Sequence, residues 1–204
     1  MKHEVTSLNT KKQIAASLKK LMKEKTFSKI TVSEIVADCN INRKTFYYHF
    51  EDIYALLKWI FDIEAIEIVK HFDLLNNYEE ALSFILDYIE DNDYIIQCAF
   101  DSIGREEMKR FFYSDFISIT TSIIAQIEQE NNIHIDKDYK HFLCVFYTEA
   151  LAGILQDWIK DRKERKIYTR EQVMHYVSYT VRNSLEVLIS GTKDKNIVKN
   201  GIPF

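Results

Sequence analysis

Residues Ile30 to Phe50 constrain this chain more than any other stretch, because they specify two short helices and the turn between them. Thr31, with Glu34 three residues on, is a capping box, which satisfies the first free amides of a helix. Ile35 and Val36 point inward, and Ala37 is expected to permit close approach of the next helix. The chain then turns at Cys39-Asn40-Ile41. Asn40 occupies the position that must take a left-handed backbone, which Asn tolerates better than any residue except Gly. Ile41 is expected to be the buried plug of that turn. Asn42 is a good N-cap for the next helix. From Arg43 to about His49, the inner face is Phe46 and, four residues on, Phe50. Arg43, Lys44, Thr45, Tyr47, Tyr48 and His49 are left mostly outside. Such a face is costly to keep solvated without a partner, and the pattern reads as a helix-turn-helix that contacts DNA.

The rest of the chain must also be helical. One proline and four glycines in 204 residues cannot supply the turns of a sandwich or an α/β sheet, so an all-α fold of long helices follows. The net charge of −4 hides an asymmetry. Residues 1–50 carry ten Lys/Arg against four Asp/Glu, a balance of +6, while residues 51–204 carry −10. A basic head on an acidic body fits nucleic acid touching one end only. The three cysteines, Cys39, Cys98 and Cys144, show no CxxC spacing and predict three buried thiols in a reducing cytosol. No leader is expected behind Met1, and no window is expected to reach the apolar length of a membrane span. The expected location is cytoplasmic.

In order, residues 1–9 read as a frayed arm. Helix 1 is expected from near Thr10 to about Glu24, with Ile14, Leu18, Leu21 and Met22 as its apolar stripe. Phe27 and Ile30 plug the small core. A fourth helix starts at Asp52 and runs to about His71, connecting a head (1–50) to a body (51–190). Further helices are expected over about 78–90, 93–100 (capped by Asp93), 105–130, 137–162 and from Thr169 to about Ile189. Thr169 and Gln172 form a second capping box. Lys163-Glu164-Arg165-Lys166 is a basic turn, and residues 191–204 are expected to be disordered.

Residues 30–56 resemble the tetracycline-repressor (TetR/AcrR) family of transcription regulators. The residues that carry this are Ile30-Thr31-Val32, Ile35-Val36-Ala37, Asn42 to Thr45, and above all Thr45-Phe46-Tyr47-Tyr48-His49-Phe50. The resemblance implies an N-terminal three-helix DNA-binding domain and a C-terminal helical ligand-binding and dimerisation domain. It implies that Asn42, Arg43, Lys44 and Thr45 face bases or phosphates. Tyr47, Tyr48 and His49 would line the groove, and Thr31 and Ser33 would donate to a phosphate. Arg and Lys suit guanine edges, hydroxyls suit the backbone, and helix N-termini favour phosphate. The chain departs from the family at Asn40, where Gly is usual, and at Ile53, where a Lys is usual. The second departure removes one phosphate contact and shifts weight to Lys11, Lys12 or Lys44. The implied function is a sequence-specific regulator, a repressor released by an effector.

Phe146-Tyr147, Gly153-Ile154 and Trp158-Ile159 are similar to the subgroup containing regulators of dihydroxyacetone kinase operons (DhaS-like). That likeness implies an alternative, an activator controlled by a partner protein. A further alternative is an all-helical protein-interaction module. Tyr88, Phe100, Phe112, Phe116, Tyr147 and Trp158 are candidates to line an effector pocket, each also readable as plain core. Leu151, Ile154, Leu155, Val177, Val181, Leu185 and Leu188 exceed a narrow apolar stripe and are candidates for a two-fold homodimer interface. No GxSxG, Walker or Rossmann pattern occurs, so no enzyme, catalytic residue, cofactor or metal is expected.

Overall fold

The structure is a computed structural model that describes residues 2–73, 76–161 and 168–193. Its elements are α1 (Lys2–Glu24), a 3-10 turn (Phe27–Lys29), α2 (Val32–Asp38), α3 (Arg43–His49) and α4 (Ile53–Phe61). A π-helical stretch (Asp62–Ile66) and a short α5 (Glu67–Val69) continue α4. There follow α6 (Tyr78–Asp91), α7 (Asp93–Ile103), α8 (Arg105–Asn131), α9 (Lys137–Asp161) and α10 (Arg170–Lys193). Among the described residues there is no strand, as the scarcity of turn formers requires.

The chain divides into two compact units, residues 1–68 with 88–111, and residues 69–87 with 112–204. In the first, α1 packs on α2, α3, α4 and α7. Ile14 and Leu18 of α1, Phe27, Ile35, Phe46, Leu56 and Leu57 are sealed from solvent. Each such side chain contributes roughly 1.5–3 kcal/mol relative to exposure. Lys19 joins α1 to the π-helical stretch through Glu64, at 2.8 Å, and the Tyr88 hydroxyl donates to the same carboxylate at 3.1 Å. Burial first, and the Glu64 charge second, push the Tyr88 phenol well above its ordinary range.

In the second unit, Ile124, Ile135, Leu143 and Cys144 form a core cluster against which Ile117, Ile133 and Tyr147 pack. The buried hydroxyls of Thr120 on α8 and Thr148 on α9 lie 2.9 Å apart, so these two groups satisfy each other. Glu128 fastens the loop between those helices. It accepts from the Ile135 amide at 2.9 Å and from Lys140 at 2.5 Å. The second capping box forms as expected, with Thr169 N donating to Gln172 at 2.9 Å and Gln172 N donating to Thr169 at 3.2 Å.

Several expectations are corrected. Helix α1 begins at Lys2, not near Thr10. Thr10 lies within the helix and returns its hydroxyl to the Thr6 carbonyl at 3.0 Å, so it is no cap. The fourth helix is interrupted by π geometry and ends at Val69. Asp93 opens α7 rather than capping it; Asn92 holds the N-cap position without a side-chain bond. That helix runs on to Ile103, where Gly104 turns the chain at φ 82°. Ala37 faces solvent and Ile41 is only half-buried. Cys144 is buried, but Cys39 and Cys98 are half-buried, donating to the carbonyls of Gln13 and Lys25.

Against the expectation that no window is apolar enough, one described stretch, Lys137–Lys160 of α9, has the length and composition of a span, with a window of mean hydropathy 1.2. A helix buried in a protein core meets the same test. Helix α10 continues to Lys193. The basic turn at 163–166 and residues 194–204 of the expected tail lie outside the described residues.

Candidate nucleic-acid interface

Two caps and a turn position the site. Thr31 accepts from Glu34 N at 3.4 Å, while Glu34 accepts from Thr31 N at 3.0 Å and from the Thr31 hydroxyl at 2.9 Å. Lys25 reaches over to the same carboxylate. Those bonds, with Lys25 the largest influence, hold Glu34 down to a pKa of about 2. Lys20 pairs with Asp38 at 2.5 Å at the other end of α2. The first turn of α2 and its last residue are thus tied to the segment that leads into them.

The turn into α3 is a Schellman motif. The amide of Asn40 donates to Ala37 O at 3.3 Å and that of Ile41 to Val36 O at 3.0 Å. Asn40 sits at φ 52°, the left-handed conformation expected of it. Asn42 then caps α3. Its Oδ1 accepts from Thr45 N at 2.8 Å and from the Thr45 hydroxyl at 3.1 Å. Asp52 caps α4 in the same way, accepting from Ala55 N at 2.7 Å.

Helix α3 is held from beneath. Phe46 is fully buried and Phe50 nearly so, their rings 6.0 Å apart, and Trp59 meets Phe50 edge-on at 5.7 Å. On the outer face Tyr47 is 55% and Tyr48 72% exposed, with Arg43 and Lys44 also exposed. Thr45 and His49 are half-buried. Burial, then the charge of Lys11, pulls the His49 imidazole below its ordinary pKa. Lys11 lies 5.8 Å from both the Phe50 and Trp59 ring centres, and Lys12 is exposed.

The expected DNA-binding residues thus fall into two groups. Lys44, Tyr47 and Tyr48 stand on an open surface. The Thr31 hydroxyl and the Asn42 side-chain oxygen serve as caps, the Thr45 hydroxyl donates to that Asn42 oxygen, and Arg43 donates across to Ser33 Oγ, joining α3 to α2. Capping residues are short and polar for the same reason that reading residues are, so sequence alone does not separate the two roles.

The aromatic residues expected to line an effector pocket divide between the units. Tyr88 and Phe100 belong to the first, and Tyr88 meets Phe61 edge-on at 6.5 Å. In the second, Phe112 stacks on Phe116 at 6.1 Å, Tyr147 packs on the Ile124 cluster and Trp158 is buried. Of the expected dimer residues, Ile154 is exposed and Leu151, Leu155, Val177 and Val181 are half-buried. The side chains of Leu185 and Leu188 lie outside the description. More open are Phe142 (58%) and Phe146 (54%), which stack at 5.9 Å on one face of α9, with Tyr176 and Tyr179 on α10. On a helix apolar all round, no feature of the sequence singles them out. Among the described residues no group of three His, Cys, Asp or Glu could hold a metal ion.

Comparison with known proteins places these features. Residues 14–60 match the family described as bacterial regulatory proteins, tetR family, and residues 76–186 match the one described as transcriptional regulator C-terminal region. The HTH-type dhaKLM operon transcriptional activator DhaS of Lactococcus lactis is 26% identical over 165 residues, 80% of this chain and 87% of that protein. The transposon Tn10 TetC protein of Escherichia coli is 25% identical over 160 residues, 74% of this chain and 76% of its own. A solved structure of the dihydroxyacetone kinase operon activator DhaS shares the fold. Its TM-score is 0.64 at 23% identity, covering 90% of this chain and 97% of that one.

Proposed function

This chain belongs to the tetR family of bacterial regulatory proteins, and from that premise we propose that it grips an operator with two copies of α3. It is a DNA-binding transcriptional regulator with a helix-turn-helix. The observation that carries the reading is the outer face of α3, where Lys44, Tyr47 and Tyr48 stand open on a helix locked from beneath by Phe46 and Phe50. Lys44 and Arg43 supply charged donors to bases or phosphates. Tyr47, Tyr48 and His49 line the groove. Thr31, Ser33, Asn42 and Thr45 sit at the two helix starts, where backbone amides favour phosphate. Lys11 and Lys12 on α1 supply the phosphate contacts that Ile53 cannot.

The head is residues 1–50, and residues 51–190 hold the effector and the dimer contacts. Two heads must meet half-sites roughly 34–36 Å apart, which a homodimer achieves. The open aromatic face of α9 and α10, with Ile154 at its edge, supports a two-fold interface there. The regulator acts in the cytoplasm, where operator DNA is. Effector binding shifts the population of DNA-competent dimers by altering the spacing of the heads through α4. Head spacing and DNA affinity that both stay unchanged on effector addition exclude this.

Family membership alone suggests a repressor released by its effector. The likeness to an activator over 80% of this chain favours a second reading, activation of a neighbouring operon under a partner protein's control. Selection of bound fragments from the surrounding genome locates the operator. A reporter on that site then gives the sign, with expression falling on deletion of an activator and rising on deletion of a repressor. In the same assay, Lys44→Ala with Tyr47→Ala abolishes the operator shift and leaves the dimer intact. Survival of operator binding refutes the assignment of α3.

A further inference from the structure

A cleft of about 580 Å³ lies wholly within the first compact unit, bounded by α1, by α4 with its π-helical continuation, and by α7. That volume suits a small molecule. Its floor is apolar, made by Ala15 and Ala16 of α1 with Ile60 and Ile63. The rings of Trp59 and Tyr94 wall it.

Four lysines from one face of α1, Lys12, Lys19, Lys20 and Lys23, line the cleft against a single lining carboxylate, Glu64. Glu64 takes Lys19 at 2.8 Å, and Asp38, outside the cleft, takes Lys20 at 2.5 Å. Lys23 stands over the Tyr94 ring at 4.7 Å, and Lys12 is exposed on the rim. Two of these lysines, Lys19 and Lys23, are four residues apart on one helix, where like charges repel. An anion in the cleft relieves that repulsion. The aromatic walls and apolar floor ask in addition for an apolar body, which a phosphodiester backbone does not bring.

We propose that this cleft binds a small amphipathic anion: a flat or aliphatic apolar body carrying one carboxylate, sulfonate or phosphate group. Of the aromatic residues assigned above to an effector, none lines this cleft, and Tyr88 adjoins it through its hydrogen bond to Glu64. Its occupant would touch Trp59, which packs on Phe50, which packs on Phe46 at the base of α3. Three rings thus connect the cleft to the reading helix.

The test uses the full-length chain labelled with 5-fluorotryptophan, whose two tryptophans, Trp59 and Trp158, give two fluorine resonances. Trp59→Phe assigns them. The probe is 8-anilino-1-naphthalenesulfonate, and its neutral counterpart is N-phenyl-1-naphthylamine, which keeps the rings and lacks the sulfonate. The expected result is a saturable shift of the Trp59 resonance with the sulfonate, and at least tenfold weaker binding of the neutral amine. Lys12→Glu with Lys23→Glu weakens sulfonate binding at least tenfold. Ala16→Phe fills the cleft at an exposed position and weakens it as much with every lysine in place. If circular dichroism shows the charge variant unfolded, Ala16→Phe decides alone. An unmoved Trp59 resonance, equal affinity for the two probes, or unchanged affinity in a folded variant overturns the proposal. No DNA enters the experiment, so its failure leaves the assignment of α3 standing.

Discussion

Replacing Asn40 tests whether the angle between α2 and α3 rests on one left-handed residue. Asn40 sits at φ 52°, and the two amides that close the turn, its own and that of Ile41, donate to Ala37 and Val36. Both bonds are made by backbone, so a substitution leaves their groups in place and changes only the conformational cost. A residue with a Cβ pays about 1–2 kcal/mol to be left-handed, Asn less, and Gly almost nothing. Asn40→Ala is therefore expected to destabilise by about 1 kcal/mol. In a chain of this size that lowers Tm by roughly 2–4 °C. Asn40→Gly holds Tm level or raises it. Thermal melts followed by circular dichroism at equal concentration and pH make the comparison. Operator affinity should follow the same order, since the turn aims α3. An Ala variant as stable as the Gly variant, or more stable, refutes the claim that backbone conformation governs this turn.

Glu34 gives a pH prediction. Its carboxyl is held near 2 in the folded chain against an ordinary 4.5, mainly by Lys25. A depressed carboxylate stabilises the fold above its unfolded pKa, and that contribution is lost as pH falls through the window from 4.5 towards 2. Glu34→Gln should flatten acid unfolding in that window, as read from melts at stepped pH. Phe46→Ala empties a fully buried ring site beneath α3; a loss of roughly 3–5 kcal/mol is expected, with operator binding abolished. Phe142→Glu with Phe146→Glu should convert the dimer to monomer in sedimentation, each interface aromatic being worth roughly 2 kcal/mol or more when truncated. A dimer of unchanged affinity would move the interface elsewhere.

Local chemistry was legible in the sequence wherever one residue type has one use. Thr31 with Glu34, Thr169 with Gln172, Asn40, Asn42 and Asp52 all act as their side chains require. Legibility stopped where long-range packing decides. The apolar residues of α9 gave no clue that Leu143 and Cys144 face the core while Phe142 and Phe146 face out, because a helix apolar all round has no preferred period. The π-helical stretch at 62–66 carries no glycine or proline to announce it. The cleft beside it was hidden for a similar reason. Lysines off the apolar stripe read as a solvated face until Trp59 and Tyr94, far along the chain, are brought beside them. The bond between Arg43 and Ser33 was equally hidden, because it depends on the crossing of α2 and α3.

The central claim is that α3 meets DNA with a basic, aromatic face, and the salt dependence of operator affinity tests it most directly. Each phosphate neutralised releases counterions, so the logarithm of affinity falls with the logarithm of salt by about 0.9 per contact. A steep negative slope is expected for the full chain, less steep by about one for Lys44→Ala, with uniform weakening if that lysine touches phosphate. A slope near zero, or one that Lys44→Ala and Lys12→Ala both leave unchanged, would contradict it.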